Sequence, residues 1–372
     1  KDDTKVIVKQ RKLNETIDGY VYKQLKKLNL NFEFIEINNI KSKLNYSNFL
    51  ESDDLLIVFN GNLFDNILLF KDSHCKILFW EVYYPWFSKF INNRYFPIRT
   101  LAKKQEKQII SILHENNSIF YIDYMGKNVV ENIMNDKISK DQYLPIPIKI
   151  KSNSPPILNA DKVSICYIGR AVSWKVYPLL KILEDTFAIS HHNLEIFIVT
   201  DNILKVKEYI NESKIQTDNL SLTFFENLDT NDLDVLMRKI NLNIGMGTSA
   251  LEGAKRGIPT IVIDASENKF PNNYKYRWIF DSDELNLGKM ITLDTLDEYG
   301  GTIKFNQVIE ELYLNYYNIS DSSYRYVLSN YSVELVVDKI LKYQENAKLE
   351  VSMFNDLFII KYFRLLRLFG IK

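Results

Sequence analysis

Residues 241–263, NLNIGMGTSALEGAKRGIPTIVI, leave the chain few ways to fold. An apolar run is followed by Gly245-x-Gly247, by a short helical pattern opening at Thr248-Ser249, and by Gly257-x-Pro259 leading into a second apolar run. Gly245 and Gly247 let the backbone turn sharply and approach a ligand closely. The order strand, turn, helix, turn, strand gathers two hydroxyls, backbone N–H groups and a helix N-terminus at one point, a setting suited to phosphate. Thr248 and Ser249 also qualify as plain N-caps, since capping and phosphate binding use the same N–H groups. Glu252, one turn into the helix, is placed to accept hydrogen bonds from a ribose. A nucleoside diphosphate is the natural ligand for such a corner.

The rest of the chain repeats the alternation. In the first half, strand patterns at 5–8, 32–37, 55–60, 76–81 and 118–123 enclose helical patterns at 20–28, 98–114 and 127–135. In the second, strands at 163–168, 194–199, 220–225, 242–246 and 260–263 alternate with helices at 176–187, 204–211, 232–240 and 251–255. Strands separated by helices argue for parallel sheets with helices on both faces. At 372 residues the chain is too long for one ordinary core and fits two domains of similar size. The Pro-rich run 143–156 reads as an extended linker between them. The expected division is 1–150, 151–345 and a C-terminal helix at 346–372. Ligands in such sheets bind at the carboxyl ends of strands, so the site is expected in a cleft between the halves.

A second segment, 164–175 (SICYIGRAVSWK), ends a strand at Gly169-Arg170 and reaches Lys175 at the start of a helical pattern. Two cations so placed can neutralise a departing diphosphate without a metal. Together the two segments resemble the donor-binding half of GT-B glycosyltransferases, nearest to glycosyltransferase family 4. In that family a G-R-x4-K element and a carboxylate in an L-E-x4-G-x-P element bind a nucleotide-sugar donor. Arg170 and Lys175, then Leu251, Glu252, Gly257 and Pro259, match those elements. The resemblance implies an α/β fold of two Rossmann-like parallel-sheet domains facing a cleft. Arg170 and Lys175 are then catalytic, and Gly169, Gly245, Gly247, Thr248, Ser249 and Glu252 bind the donor. Family members usually carry a second Glu eight residues before the one matched by Glu252; here Ile244 stands there, so the carboxylate pair is incomplete.

The resemblance further implies a metal-independent hexosyltransferase, retaining rather than inverting, acting on a glycan or lipid-linked glycan of a bacterial surface polysaccharide. The nucleotide-sugar is its donor substrate, and no cofactor is expected. A sugar-nucleotide epimerase of the same architecture and a non-catalytic glycan-assembly partner are the alternatives. The first would need acidic and histidine residues clustered in the cleft, and the second is favoured by Ile244.

In the first half the candidates are Glu81, at a strand end before an aromatic loop, and Asp18 beside Gly19 in the first loop. Either carboxylate suits a general base on an acceptor hydroxyl if the enzyme inverts, and Glu81 is equally a solvated strand-end residue. Asn60-Gly61-Asn62 reads as a turn. The aromatic run 79–96 is read as core, acceptor platform or membrane-facing loop. The four histidines show no metal spacing, and Cys75 and Cys166 read as reduced core residues. Lys plus Arg and Asp plus Glu each number 47, so no net field draws nucleic acid. No apolar run is long enough to span a bilayer, and a cytoplasmic location is expected. At the C-terminus, Lys361, Arg364 and Arg367 recur every third residue within an otherwise apolar stretch. On a helix they form a basic stripe beside a wide apolar face, suited to packing on the first domain or to the inner face of an anionic membrane.

Overall fold

Runs of β-branched and aromatic residues become short strands in the computed structural model, which describes residues 4–9, 32–37, 50–59, 70, 72–81, 99–135, 137, 142–151, 155–158, 162–189, 193–292, 295 and 301–356. Asp18, Gly19, Asn60-Gly61-Asn62, His191-His192, the helical pattern at 20–28, most of the aromatic run and the basic C-terminal stretch lie outside the described residues. The chain forms two compact units. One comprises Lys1–Leu78, Ser88–Ile109 and Lys348–Lys372, the other Phe79–Phe87 and Ile110–Ala347.

In the first unit β1 (Thr4–Lys9) pairs in parallel with β2 (Phe32–Ile37), and β3 (Leu55–Phe59) neighbours the start of β4 (Lys76–Glu81). The 3-10 segment Val351–Asp356 closes against β4: Ile77 N–H donates to the Leu349 carbonyl at 3.0 Å, and Cys75 and Phe354 are fully buried. Helix α1 (Arg99–Glu115) begins in this unit and passes to the second at Ile110.

In the second unit the end of β4 pairs in parallel with β5 (Ile119–Tyr121), and Asp123 caps α2 (Tyr124–Met134) by accepting from Gly126 N–H at 3.1 Å. The segment 142–151, expected to be part of a linker, lies inside the second unit and carries isolated bridges at Tyr143 and Ile148. It is tied down by Trp80 Nε1–H donating to the Leu144 carbonyl at 2.6 Å and Ile148 N–H to the Tyr331 carbonyl at 2.8 Å. Then come β6 (Val163–Ile168), α3 (Ser173–Ala188), β7 (Leu194–Thr200), α4 (Ile203–Ser213), β8 (Ser221–Glu226), α5 (Thr230–Met237), β9 (Leu242–Gly245), α6 (Thr248–Ala254) and β10 (Thr260–Val262). The short strands β11 (Ala265–Ser266), β12 (Arg277–Trp278) and β13 (Met290–Ile291) precede α7 (Phe305–Tyr331) and α8 (Val333–Asn346).

The main sheet has the order β12-β10-β9-β6-β7-β8, all parallel except β12. Its central strands read as continuous apolar runs because helices cover the sheet. Ile165, Ile196, Leu242 and Ile261 of four adjacent strands are fully buried and form one core with α3 and α7. Helix α7 has no counterpart in the sequence reading. It runs 27 residues with a break at Asn315, whose φ of −131° leaves the helical region. Its buried face keeps helical spacing through that break, from Leu312 to Tyr316 and Ile319, but exposed Leu314, Tyr317 and Leu328 and buried Ser320 and Ser323 blur the apolar stripe in the sequence.

Candidate functional site

Parallel strands deliver their following loops to one edge of the sheet, and β6 and β9 are neighbours, paired at Tyr167 with Ile244. The turn after β6 and the turn after β9, seventy-odd residues apart in the chain, therefore open side by side. Between them lies a cavity of about 1000 Å³ within the second unit. Gly169, Arg170, Trp174 and Lys175 line it from one side of the sequence, and Met246, Gly247, Thr248 and Ser249 from the other. All the sequence-derived candidates of the second half except Gly245 and Glu252 are brought together there.

Gly169 and Gly245 are required by crowding. A Cβ on Gly169 would sit 2.7 Å from the Tyr167 ring, and one on Gly245 would sit 2.7 Å from the Ala250 nitrogen. Gly247 is required by its backbone, at φ 55° and ψ −132°, a region open essentially to glycine alone. Ser249 closes the turn, its hydroxyl donating to the Met246 carbonyl at 2.8 Å and accepting from Met246 N–H at 3.1 Å. Gly247→Ala meets no neighbour within 4 Å, so its cost is backbone strain alone. The expected loss is about 1–3 kcal/mol of stability, read as a lowered melting temperature.

The two cations share one aromatic side chain. The Arg170 guanidinium lies 5.7 Å and the Lys175 ammonium 4.9 Å from the Trp174 ring centroid. Burial, and then the charge of Arg170, push the Lys175 ammonium down to about 8. Lys175 also sits in the first turn of a 16-residue helix, where the helix dipole disfavours a cation. An anion in the cavity relieves all three penalties together. Asp201 holds this turn in place, its carboxylate accepting from Ala171 N–H at 2.6 Å.

Glu252 is found elsewhere. Its carboxylate pairs with Lys255 at 2.6 Å and with Arg256 at 2.7 Å, and Arg256 is bound in turn to Asp234. Burial of Asp234 is outweighed by hydrogen bonds from Lys151 and Arg256, which hold it at about 2. Glu252 thus belongs to an ion-pair network, and the cavity lining does not include it. A carboxylate one turn into so short a helix meets the cations on the following turn. Ile244 is fully buried in β9, so the missing second carboxylate is a core position of this fold.

Glu81 is not a solvated strand-end residue, nor does it line the cavity. It is 1% exposed, and neither carboxyl oxygen has a hydrogen-bond partner among the described residues. Burial, and then the charge of Asp123, push it up to about 8. His114 hydrogen-bonds Tyr121, and burial lowers it to about 4. His74, exposed, pairs with Glu350. Cys75 and Cys166 are buried and unbridged. No group of three or more His, Cys, Asp or Glu side chains among the described residues is arranged to hold a metal.

Sequence reasoning missed Asp123, Asp201 and Lys289, which line the cavity together with Asn227 and Leu228 of the segment 225–228 expected to meet the nucleotide base through its backbone. The first two share a readable signal: each is a polar residue within two positions of the end of a parallel strand. Lys289 comes from a loop reached only through the fold.

No family model and no curated protein matches the chain. Solved structures do. The lipopolysaccharide outer core galactosyltransferase WaaB, in its apo form, superposes with a TM-score of 0.53 at 14% identity, over 92% of this chain and 98% of that one. The Anabaena protein Alr3699/HepE, in complex with UDP and glucose, gives 0.51 at 11% identity, over 93% and 100%. At such identities the likeness shows the fold, α/β with Rossmann-like parallel sheets of the GT-B kind.

Proposed function

We propose that the protein transfers a glycosyl group from a nucleoside-diphosphate donor to a glycan acceptor. The observation that carries this reading is the cavity in which Arg170 and Lys175 converge with the turn at Met246-Gly247. Two cations held beside exposed backbone and hydroxyls form a diphosphate cradle, and they stabilise negative charge as it develops on the departing nucleotide. The cradle needs no metal on this reading. The solved structures of like fold support it: one is a galactosyltransferase by name, and another holds UDP and glucose. Donor-binding roles for Gly169, Thr248 and Ser249 follow from their place in the lining.

The finer reading is a retaining hexosyltransferase of glycosyltransferase family 4 type, building a bacterial surface polysaccharide at the inner face of the cell membrane. The proposed membrane contact is peripheral, through the basic C-terminal stretch; no helix among the described residues is long and apolar enough to cross a membrane. A non-catalytic partner is disfavoured because such a protein has no need of a depressed lysine beside an arginine. An epimerase is disfavoured because Glu81 and His114 do not line the cavity.

A thermal-shift panel of UDP, GDP, CMP, ADP and dTDP, with and without magnesium, tests the reading. One nucleotide at 100 times its dissociation constant is expected to add about 2.7 kcal/mol. That shift should not depend on magnesium and should disappear in Arg170→Ala. No shift with any nucleotide would overturn the proposal.

A further inference from the structure

Two carboxyl groups meet at one glycine. Asp123 accepts from Gly126 N–H at 3.1 Å, while a Cβ on Gly126 would lie 2.4 Å from Glu81 Oε2. The first turn of α2 therefore carries a glycine because Glu81 occupies the space a side chain would fill. A glycine there costs helix stability, and a buried carboxyl with no partner among the described residues costs more. Folds keep such features where a site requires them. Asp123 lines the cavity that holds Arg170 and Lys175, and Glu81 lies behind it.

Resting on the transferase reading, we propose that Asp123 and Glu81 form an acidic subsite for a sugar hydroxyl of the acceptor. The Asp123 carboxylate accepts the hydroxyl's hydrogen bond, and Glu81, kept neutral, is a positioning residue that excludes a second negative charge. A carboxylate repels phosphate and suits a hydroxyl donor, which separates this subsite from the diphosphate cradle. Its Oδ1 is already oriented by the helix cap, leaving acceptor capacity for a ligand.

Burial raises both carboxyls, Glu81 to about 8 and Asp123 against the N–H bonds of Gly126 and Met125, which lower it. Tyr121 faces Glu81 and is pushed up by burial, and His114 bonded to it stays neutral. Lys127 and Glu131 of α2 pair with each other at 3.9 Å. Tyr143 lies near Tyr121, and Tyr331, near Asp123, is pushed well above its ordinary value by burial. Across the cavity, Lys175 also titrates near 8 and must be separated by its own variant.

The experiment uses the full chain with glucose as a polyol probe, read by saturation-transfer NMR, with and without whichever nucleotide of the panel binds. Asp123→Asn retains an N-cap residue and is expected to weaken glucose binding on the order of tenfold while nucleotide binding persists. In the wild type, glucose binding should change as pH rises through about 8. In Glu81→Gln that dependence should vanish, and in Lys175→Arg it should remain. Infrared difference spectra, wild type minus Glu81→Gln, should show a protonated carboxyl band at pH 7 that titrates at lower pH in Asp123→Asn. If no nucleotide binds, the transferase reading falls and the subsite with it. If nucleotides bind but the glucose signal is absent, or is indifferent to both carboxyl variants, the subsite alone is overturned.

Discussion

Lys175→Met is expected to melt at a higher temperature than the wild type at pH 7 and to lose the nucleotide-dependent shift. The folded-state value of Lys175, about 8, lies below its ordinary value of 10.5. Between those two pH values the unfolded chain binds more protons than the folded one, so stability rises with pH across that window. Below about 8 the penalty for holding a charged, desolvated lysine beside Arg170 is fully present. Removing the charge should return roughly 2 kcal/mol there, after allowance for the side chain's residual exposure. The advantage of Lys175→Met should shrink from pH 8 upward and vanish above 10.5. Turnover moves the opposite way, falling about 100- to 1,000-fold if the ammonium stabilises the leaving diphosphate. Melting curves from pH 6 to 11, with and without the selected nucleotide, check both halves. A variant less stable than the wild type at pH 7, or one that keeps the nucleotide shift, would sink the assignment.

Asp264→Ala is expected to cost about 3–5 kcal/mol, the usual effect of removing one partner from a buried ion pair. Asp264 is fully buried and Arg277 is 4% exposed, with guanidinium nitrogens 3.3 Å from Oδ1. The same carboxylate accepts from Lys289 N–H at 2.8 Å and from the Tyr274 hydroxyl at 3.1 Å. Truncation removes the counter-charge of Arg277 and the acceptor for the Tyr274 hydroxyl and the Lys289 amide together. The amide belongs to the loop that supplies Leu287, Gly288, Lys289 and Met290 to the cavity wall, so nucleotide affinity should fall along with stability. Urea denaturation checks the first effect as a lower midpoint at unchanged slope. The double variant Asp264→Leu, Arg277→Met, which leaves no unpaired charge, should recover most of the stability. Failure of the single variant to lower the midpoint would show that the pair is not the brace of this loop.

Much of this was legible in the chain because strands and turns write their needs locally. The runs 32–37, 76–81 and 163–168 read as strands, and the strands occupy those residues. The glycine turn was legible for the same reason, since Gly247 adopts a backbone that other residues avoid. Helix α7 was not legible, because exposed Leu314, Tyr317 and Leu328 and buried Ser320 and Ser323 blur the contrast between its faces. The motif position of Glu252 does not reveal that Lys255 and Arg256, one turn on, pair with its carboxylate. Glu81 misled for a related reason: a polar residue ending a strand looks solvated until the packing of α2 over it is known.

By itself, the sequence determined the alternation of strand and helix, the glycine positions, and the two cations five residues apart, all of them matters of neighbouring residues and backbone sterics. Only the tertiary structure decided which of the charged residues face the cavity. That choice depends on strand order, which sets β6 beside β9 and leaves Asp123 in the lining, and on pairing, which ties Glu252 to Lys255 and Arg256 one turn on and Asp264 to Arg277 of a later strand. Burial and partnership of a charge are properties of its surroundings in space, and those surroundings come from segments far away in the chain.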